Sequence, residues 1–462
     1  METSHQDINE KQRKRCGISG YTTSTTPING ILKSEISDFI VREITLSGEI
    51  LSTHEKEMAN THFNPRRDKA TIFTVIKKKM DTILASKTLA EYLHVPPNHI
   101  KWAGIKDHTA ITAQRFTVRG NRMNDLKNFK HNNITITNIR PAKEEIELGK
   151  LWGNNFTINL RNIHEEYQEI EGTLAEWTEQ INTYGFPNYF GMQRFGQHRP
   201  NSHKVGRYAF LGQFKEACEE FLYQIYPKEY EENKQFREKL RETSNLSEVL
   251  KNWPRGFHYE KLIVNKLVQN QEDFQSAFFA LPTPLVNLVM SSFQSYIFNQ
   301  AISKRISQGH PLSQPISGDL VSILMEPKGH PSLITYKYEG GKGWNDATIL
   351  KAFKHERATI IAPILGHKTK LTDYPAFEPI YKNILEEENF EMNQFNHQYS
   401  RIFSFDGTFR PIFNKPSSLK ISQAYITNKY PELDPHGIKL EFSLPKGTYA
   451  TVLLRELRKY KK

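Results

Sequence analysis

Lys101-Trp102-Ala103-Gly104-Ile105-Lys106-Asp107-His108-Thr109-Ala110-Ile111-Thr112-Ala113-Gln114-Arg115-Phe116-Thr117-Val118 holds one carboxylate between two extended segments. Ile100 and Trp102 alternate with polar neighbours as a short strand does. Gly104 allows a sharp turn, and Arg115-Phe116-Thr117-Val118 resumes an extended pattern. Asp107 is therefore expected at a strand-to-loop edge, flanked by Lys106, His108 and Arg115. Those cations are expected to keep the carboxylate ionised and to attract a polyanion. Taken alone, Gly-x-Lys-Asp also reads as a solvated turn of mixed charge.

Upstream, Thr71–Ile76 alternates as a strand. Asp81 then offers an N-cap to a helix whose Ala85, Leu89, Tyr92 and Leu93 share one face, ended by Pro96-Pro97. Gly30–Lys33 and Phe39–Val41 read as short strands around a turn at Ser37-Asp38, and His54–Lys69 as a polar loop containing Arg66-Arg67. Residues 1–16, with Lys11, Arg13, Lys14 and Arg15, read as a polar tail. Downstream, Gly153–Arg161 opens on a turn-forming Gly-Asn and alternates as a strand. Glu165–Tyr184 is helical in pattern and closed by Gly185 and Pro187. Gly206–Leu281 is helical and heavily charged, Ser291–Ile306 is helical, and Gly318–Thr372 is β-rich. Leu440–Leu444 alternates again and Ala450–Leu457 is helix-like.

A chain of 462 residues accommodates two or three domains. Its 62 Lys and Arg against 51 Asp and Glu give a net charge of +11, which favours a polyanionic partner, nucleic acid first. Cys16 and Cys218 stand far apart, so neither a disulfide framework nor a thiolate zinc site is expected. The histidine pairs His94/His99 and His198/His203 are five apart, a spacing that does not stack two rings on one helix face. No apolar run approaches the roughly twenty residues that cross a bilayer, and Met1–Arg15 lacks a signal-peptide core. The expectation is a soluble intracellular protein, cytoplasmic, or nuclear in a eukaryote. No nucleotide-binding glycine motif occurs.

Ala103-Gly104-Ile105-Lys106-Asp107, with Ala110, Thr112 and Gln114, resembles the signature of the tRNA pseudouridine synthase D (TruD) family. Further segments resemble that family in its order: Gly30-Ile31-Leu32-Lys33, Asp38-Phe39-Ile40-Val41-Arg42-Glu43, Gly153-Asn154-Asn155-Phe156-Thr157-Ile158, Pro187–Gly196, Ser292–Asn299 and Leu444–Thr451. The resemblance implies an α+β fold. A pseudouridine-synthase catalytic domain with a mixed, largely antiparallel sheet would be interrupted by an inserted α+β module, the TRUD domain. The expected division is a polar tail at 1–16, the catalytic domain at 17–186 and 411–462, and the inserted domain at 187–410, with the charged helical insertion near 206–281.

The implied activity is isomerisation of uridine to pseudouridine in tRNA, at position 13, with other RNAs modified by some relatives. As an isomerisation it needs no cofactor and no metal, and the enzyme is expected to be a monomer. The resemblance makes Asp107 the catalytic nucleophile and Lys33 a basic active-site residue, with Phe156 stacking on the target base and Asn154 in the same pocket. Gln193 and Arg194 fall in its aromatic and glycine-rich motif, where they would contact RNA or support the loop. Glu43 is a second carboxylate that could shuttle a proton. Two rival classes are a glycosidase-like hydrolase pairing Asp107 with Glu43, and a non-catalytic RNA-binding module.

Overall fold

The computed structural model describes residues 10–54, 62–163, 165–243, 245–341, 344–396, 405–425 and 436–459. Seven strands precede the first long helix: β1 (Ile31–Leu32), β2 (Phe39–Ile44), β3 (Ala70–Lys78), β4 (Ile100–Trp102), β5 (Ile111–Arg119), β6 (Ile134–Ala142) and β7 (Gly153–Arg161). The helices among them are α1 (Glu10–Arg15), α2 (Thr82–Tyr92) and α3 (Met123–Lys127), and α4 (Tyr167–Tyr184) follows. The α4 helix ends where the sequence indicates, on Gly185 at φ 69°, a left-handed conformation that costs glycine little.

After β8 (Phe186–Pro187) the chain runs through α5 (Ser202–Phe210), α6 (Phe214–Leu222), α7 (Glu231–Glu242), α8 (Leu246–Lys251), α9 (His258–Gln269), α10 (Phe274–Phe279) and the 25-residue α11 (Thr283–Ser307). A small four-stranded sheet then forms, in the order β10-β9-β11-β12, from β9 (Leu320–Leu324), β10 (Pro331–Lys337), β11 (Ala358–Ile364) and β12 (Thr408–Pro411). Helices α12 (Trp344–Lys354) and α13 (Glu378–Glu387) interrupt it. The chain closes with β13 (Phe413–Asn414), β14 (Ser417–Tyr425), β15 (His436–Pro445) and α14 (Ala450–Arg458).

The last two long strands return to the first sheet, which runs β14-β15-β7-β2-β5-β3-β6, with β1 on β7 and β4 on β5. Every pairing in it is antiparallel except the parallel β2–β5 pair, so the sheet is mixed and largely antiparallel, in an α+β fold. The chain leaves this sheet beside the point where it re-enters. β8 pairs with β13 there, Pro187 opposite Phe413. Gly153 lies inside β7, opposite Pro445, rather than in a turn; a Cβ there would meet the Leu444 carbonyl oxygen at 2.1 Å. Close strand approach requires this glycine.

One core joins the face of the main sheet to α4, the inserted helices and α14, with Trp177, Phe293 and Leu453 fully buried. A second, smaller core lies between β3, β5 and α2, around Phe73, Phe116 and Leu89. Asp81 caps α2 by accepting from the Leu84 N–H at 2.8 Å, as its sequence position indicates. Of the residues expected in the polar tail, 1–9 lie outside the described residues, and 10–15 form α1. The buried Glu10 carboxylate pairs there with Arg455 at 2.6 Å. That partner lies 445 residues away, so the polar pattern of the segment alone could not reveal its burial. No helix among the described residues is long and apolar enough to cross a membrane.

Candidate active site

The β4–β5 hairpin carries Asp107 in its loop, and three braces hold that loop. Gln114, on β5, donates to the Gly104 carbonyl at 3.0 Å. Thr82, the first residue of α2, accepts from the Lys106 N–H at 3.0 Å and donates to Gln114 Oε1 at 3.0 Å. Lys77, near the end of β3, donates to the carbonyls of Met80 at 2.6 Å and Asp107 at 2.9 Å. The backbone around the carboxylate is thus bonded to two strands and a helix.

The Asp107 side chain is 28 % exposed and faces a cleft of about 490 Å³. Lys33 Nζ lies 3.0 Å from its Oδ2, and Gln193 Nε2 donates to its Oδ1 at 2.8 Å. Lys33 follows β1 at φ 56°, and its ammonium also sits 4.1 Å from the centre of the Phe39 ring. The turn after it is fixed by Arg161, whose buried guanidinium donates to Asp38 at 2.7 Å. Burial pushes the Asp107 pKa up, but Lys33, the Gln193 hydrogen bond and Lys77 outweigh it and hold the carboxyl below the usual aspartate range. Asp107 is therefore ionised at neutral pH.

Of the three cations expected beside Asp107, His108 lines the same cleft, but Lys106 and Arg115 are not its partners. Lys106 turns inward to the buried Glu43 at 3.1 Å, and Arg115 reaches the outer Glu49 at 2.8 Å. The expected flanking charge comes instead from Lys33 and Lys77, which only the fold brings near. Glu43 does not line the cleft; it also accepts from the Arg115 N–H at 3.2 Å. It anchors β2 to the Asp107 loop.

Leu32, Lys33, Phe39, Asp107 and Gln193 line the cleft, with Arg13, Arg455 and Arg458 on its walls. Phe156 does not line it. It is 6 % exposed, opposite Val41 in the β2–β7 register, edge-on to Phe39 at 6.2 Å and stacked on Phe442 at 5.3 Å. Asn154, opposite Glu43, has a buried Oδ1 with no hydrogen-bond partner among the described residues. Arg194 is committed to α11, donating to Ser291 at 2.7 Å and Ser295 at 3.1 Å, so it joins the loop to the inserted helices. Among the described residues, no group of three or more His, Cys, Asp or Glu is placed to hold a metal ion.

Lys77 is absent from the sequence reading, although a signal was available. Phe73, Val75 and Lys77 share one face of β3, and all three are buried. A lysine in that row needs acceptors. Desolvation lowers its pKa to about 8, against the raising effect of Asp107. The folded protein therefore binds fewer protons than the unfolded chain between about pH 8 and the ordinary lysine value near 10.5, and this group's contribution to stability rises with pH across that window. Lys77→Met should leave two carbonyls without donors and cost about 2–4 kcal/mol. A thermal melt should show the loss, and an unchanged melting temperature would remove the brace from the argument.

An ionised carboxylate at the edge of a mixed sheet, held by a lysine and a glutamine in an arginine-walled cleft, is the setting of a pseudouridine synthase. The family model for tRNA pseudouridine synthase D (TruD) matches residues 15–457. Relatives described as probable tRNA pseudouridine synthase D come from Methanosarcina barkeri, 32% identical over 96% of this chain and 97% of its own, and from Methanosarcina mazei, 33% identical over the same shares. The crystal structure of the putative tRNA pseudouridine synthase D from Methanosarcina mazei superposes with a TM-score of 0.78 at 31% identity, covering 98% of this chain and 99% of that one. The chain belongs to the tRNA pseudouridine synthase D (TruD) family.

Proposed function

We propose that this protein converts uridine to pseudouridine in tRNA, at position 13, with Asp107 as the nucleophile. The observation that carries the reading is the Asp107 carboxylate, ionised and fixed between Lys33 and Gln193 in an open cleft. Its membership of the family supports the class of reaction. In that reaction the N1–C1′ bond breaks, the uracil turns and a C5–C1′ bond forms. The C5 proton leaves to water and N1 gains a proton. Asp107 attacks at the sugar C1′ or on the pyrimidine ring, and both routes balance without an outside reactant.

Lys33 keeps the carboxylate charged and Gln193 fixes its orientation. Phe156, packed edge-on behind Phe39 and outside the cleft lining, supports the extruded base only through that ring, and Asn154, also outside the lining, is its neighbour on the same sheet face. Glu43, shut away with Lys106, acts on the loop and takes no proton from substrate. Its burial also disfavours the hydrolase reading, which needs two carboxylates facing one bond. We assign residues 187–410 as the inserted domain and regard the enzyme as a cytoplasmic monomer, with RNAs other than tRNA as further substrates.

The test is purified protein with tRNA tritiated at uracil C5, without added nucleotide or metal. Label should appear in water. Free uracil would indicate the hydrolase, and no release of either kind the binding module. Affinity for the same tRNA should fall steeply with salt, log Kd shifting by about one unit per tenfold salt for each phosphate neutralised. Binding that stays flat from low to physiological salt would remove the electrostatic part of the proposal.

A further inference from the structure

Two aromatic rings stand in the wall of the Asp107 cleft, and the mechanism above uses neither. Tyr230, from the charged helical insertion, and His198, from the loop after the Gln193 motif, both line the cleft. Their ring centres are 6.0 Å apart with planes tilted by 35°, and Tyr230 is 56 % exposed. We propose that Tyr230 and His198 form a stacking platform for a nucleotide next to the target uridine, so that the helical insertion contributes directly to substrate recognition. This rests on the reading of the protein as a tRNA pseudouridine synthase.

The backbone that carries the rings is held from beneath. Glu229, directly before Tyr230, pairs with Arg199, directly after His198, at 3.2 Å. The same carboxylate pairs with Arg237 of α7 at 2.7 Å, and Arg237 pairs with Glu260 of α9 at 2.8 Å. Glu229 also accepts from the Tyr226 N–H at 2.8 Å. The Tyr230 carbonyl accepts from the N–H groups of Asn233 and Lys234, starting α7 directly behind the ring. A charge network of four residues, three of them buried and Arg199 partly so, thus sets the spacing of two rings that face the cleft.

Extrusion of a uridine explains why such a surface is useful. The bases on either side lose a stacking neighbour, and an aromatic side chain can replace that face for any base. Arg13 and Arg458 line the same cleft and add positive charge beside the path of a phosphate backbone, whereas Arg455 is buried and already paired with Glu10. Tyr230 and His198 therefore contribute to binding the flanking strand, and Asp107 acts on the nucleotide withdrawn from it.

The test compares the full-length wild type with Tyr230→Ala, Tyr230→Phe and His198→Ala in the tritium-release assay. The substrates are the parent tRNA and versions abasic at each nucleotide flanking the target. On the parent, Tyr230→Ala should raise KM roughly tenfold with little change in kcat, while Tyr230→Phe stays near wild type. His198→Ala, which reads the other ring, should raise KM in the same direction. At one abasic position the wild type should lose the same factor, and Tyr230→Ala should then lose nothing further. The platform is refuted if Tyr230→Ala stays within twofold of wild type on the parent, or if the variant and abasic penalties multiply at every flanking position. Wild-type protein that releases no label from the parent would instead overturn the reaction assignment.

Discussion

Asp107→Asn should reduce pseudouridine formation at least roughly a thousandfold while leaving tRNA binding and melting temperature nearly unchanged. The amide keeps the size of the carboxylate and can still accept from Lys33, but it loses the negative charge and the nucleophilicity. Binding should survive because phosphate contacts are spread over many cations, and removing one negative charge beside a polyanion does not hinder its approach. The fold should tolerate the change as well. The loop is held through the backbone, by Gln114 on Gly104, Thr82 on Lys106 and Lys77 on the Asp107 carbonyl, so the side chain is not what anchors it. A well-folded Asp107→Asn protein that turns over near the wild-type rate would remove Asp107 from the chemistry.

Where local pattern decided the structure, the sequence was readable. The strands on either side of Asp107, the Asp81 cap of α2 and the Gly185 end of α4 each depend on residues within a few positions of one another. The electrostatics of the site did not depend on neighbours. Lys33 lies 74 residues from Asp107 and Gln193 lies 86 away, and the resemblance, not the spacing, singled them out. Lys106 and Arg115 were expected at the carboxylate, but alternation along β5 and the course of the loop direct them to Glu43 and Glu49. α1 illustrates the same limit. A charged segment becomes buried when its carboxylate meets Arg455 on the last helix, and a one-dimensional pattern does not contain that pairing.

Lys33→Met should lower turnover at neutral pH by about a hundredfold and move the acid limb of the kcat/KM profile to higher pH. The direction follows from the forces on Asp107. Burial favours the neutral acid; Lys33 opposes it by charge and by hydrogen bond, with Gln193 and Lys77 assisting. Without Lys33, burial meets only Gln193 and Lys77, so the carboxyl pKa rises and a larger share of the enzyme carries an inactive Asp107 as pH falls. The same shift affects stability. A carboxylate whose folded pKa is depressed contributes stability above its unfolded value near 3.9 and loses that contribution as pH falls through the folded value. The variant should therefore be less stable than wild type at neutral pH and lose less of its stability on acidification, as well as losing rate. Lys33→Arg, which keeps the charge but changes the donor geometry, should restore the acid limb more fully than the rate. If Lys33→Met kept the wild-type acid limb, the lysine would not control the ionisation of Asp107, and its 3.0 Å contact would serve only to place the carboxylate.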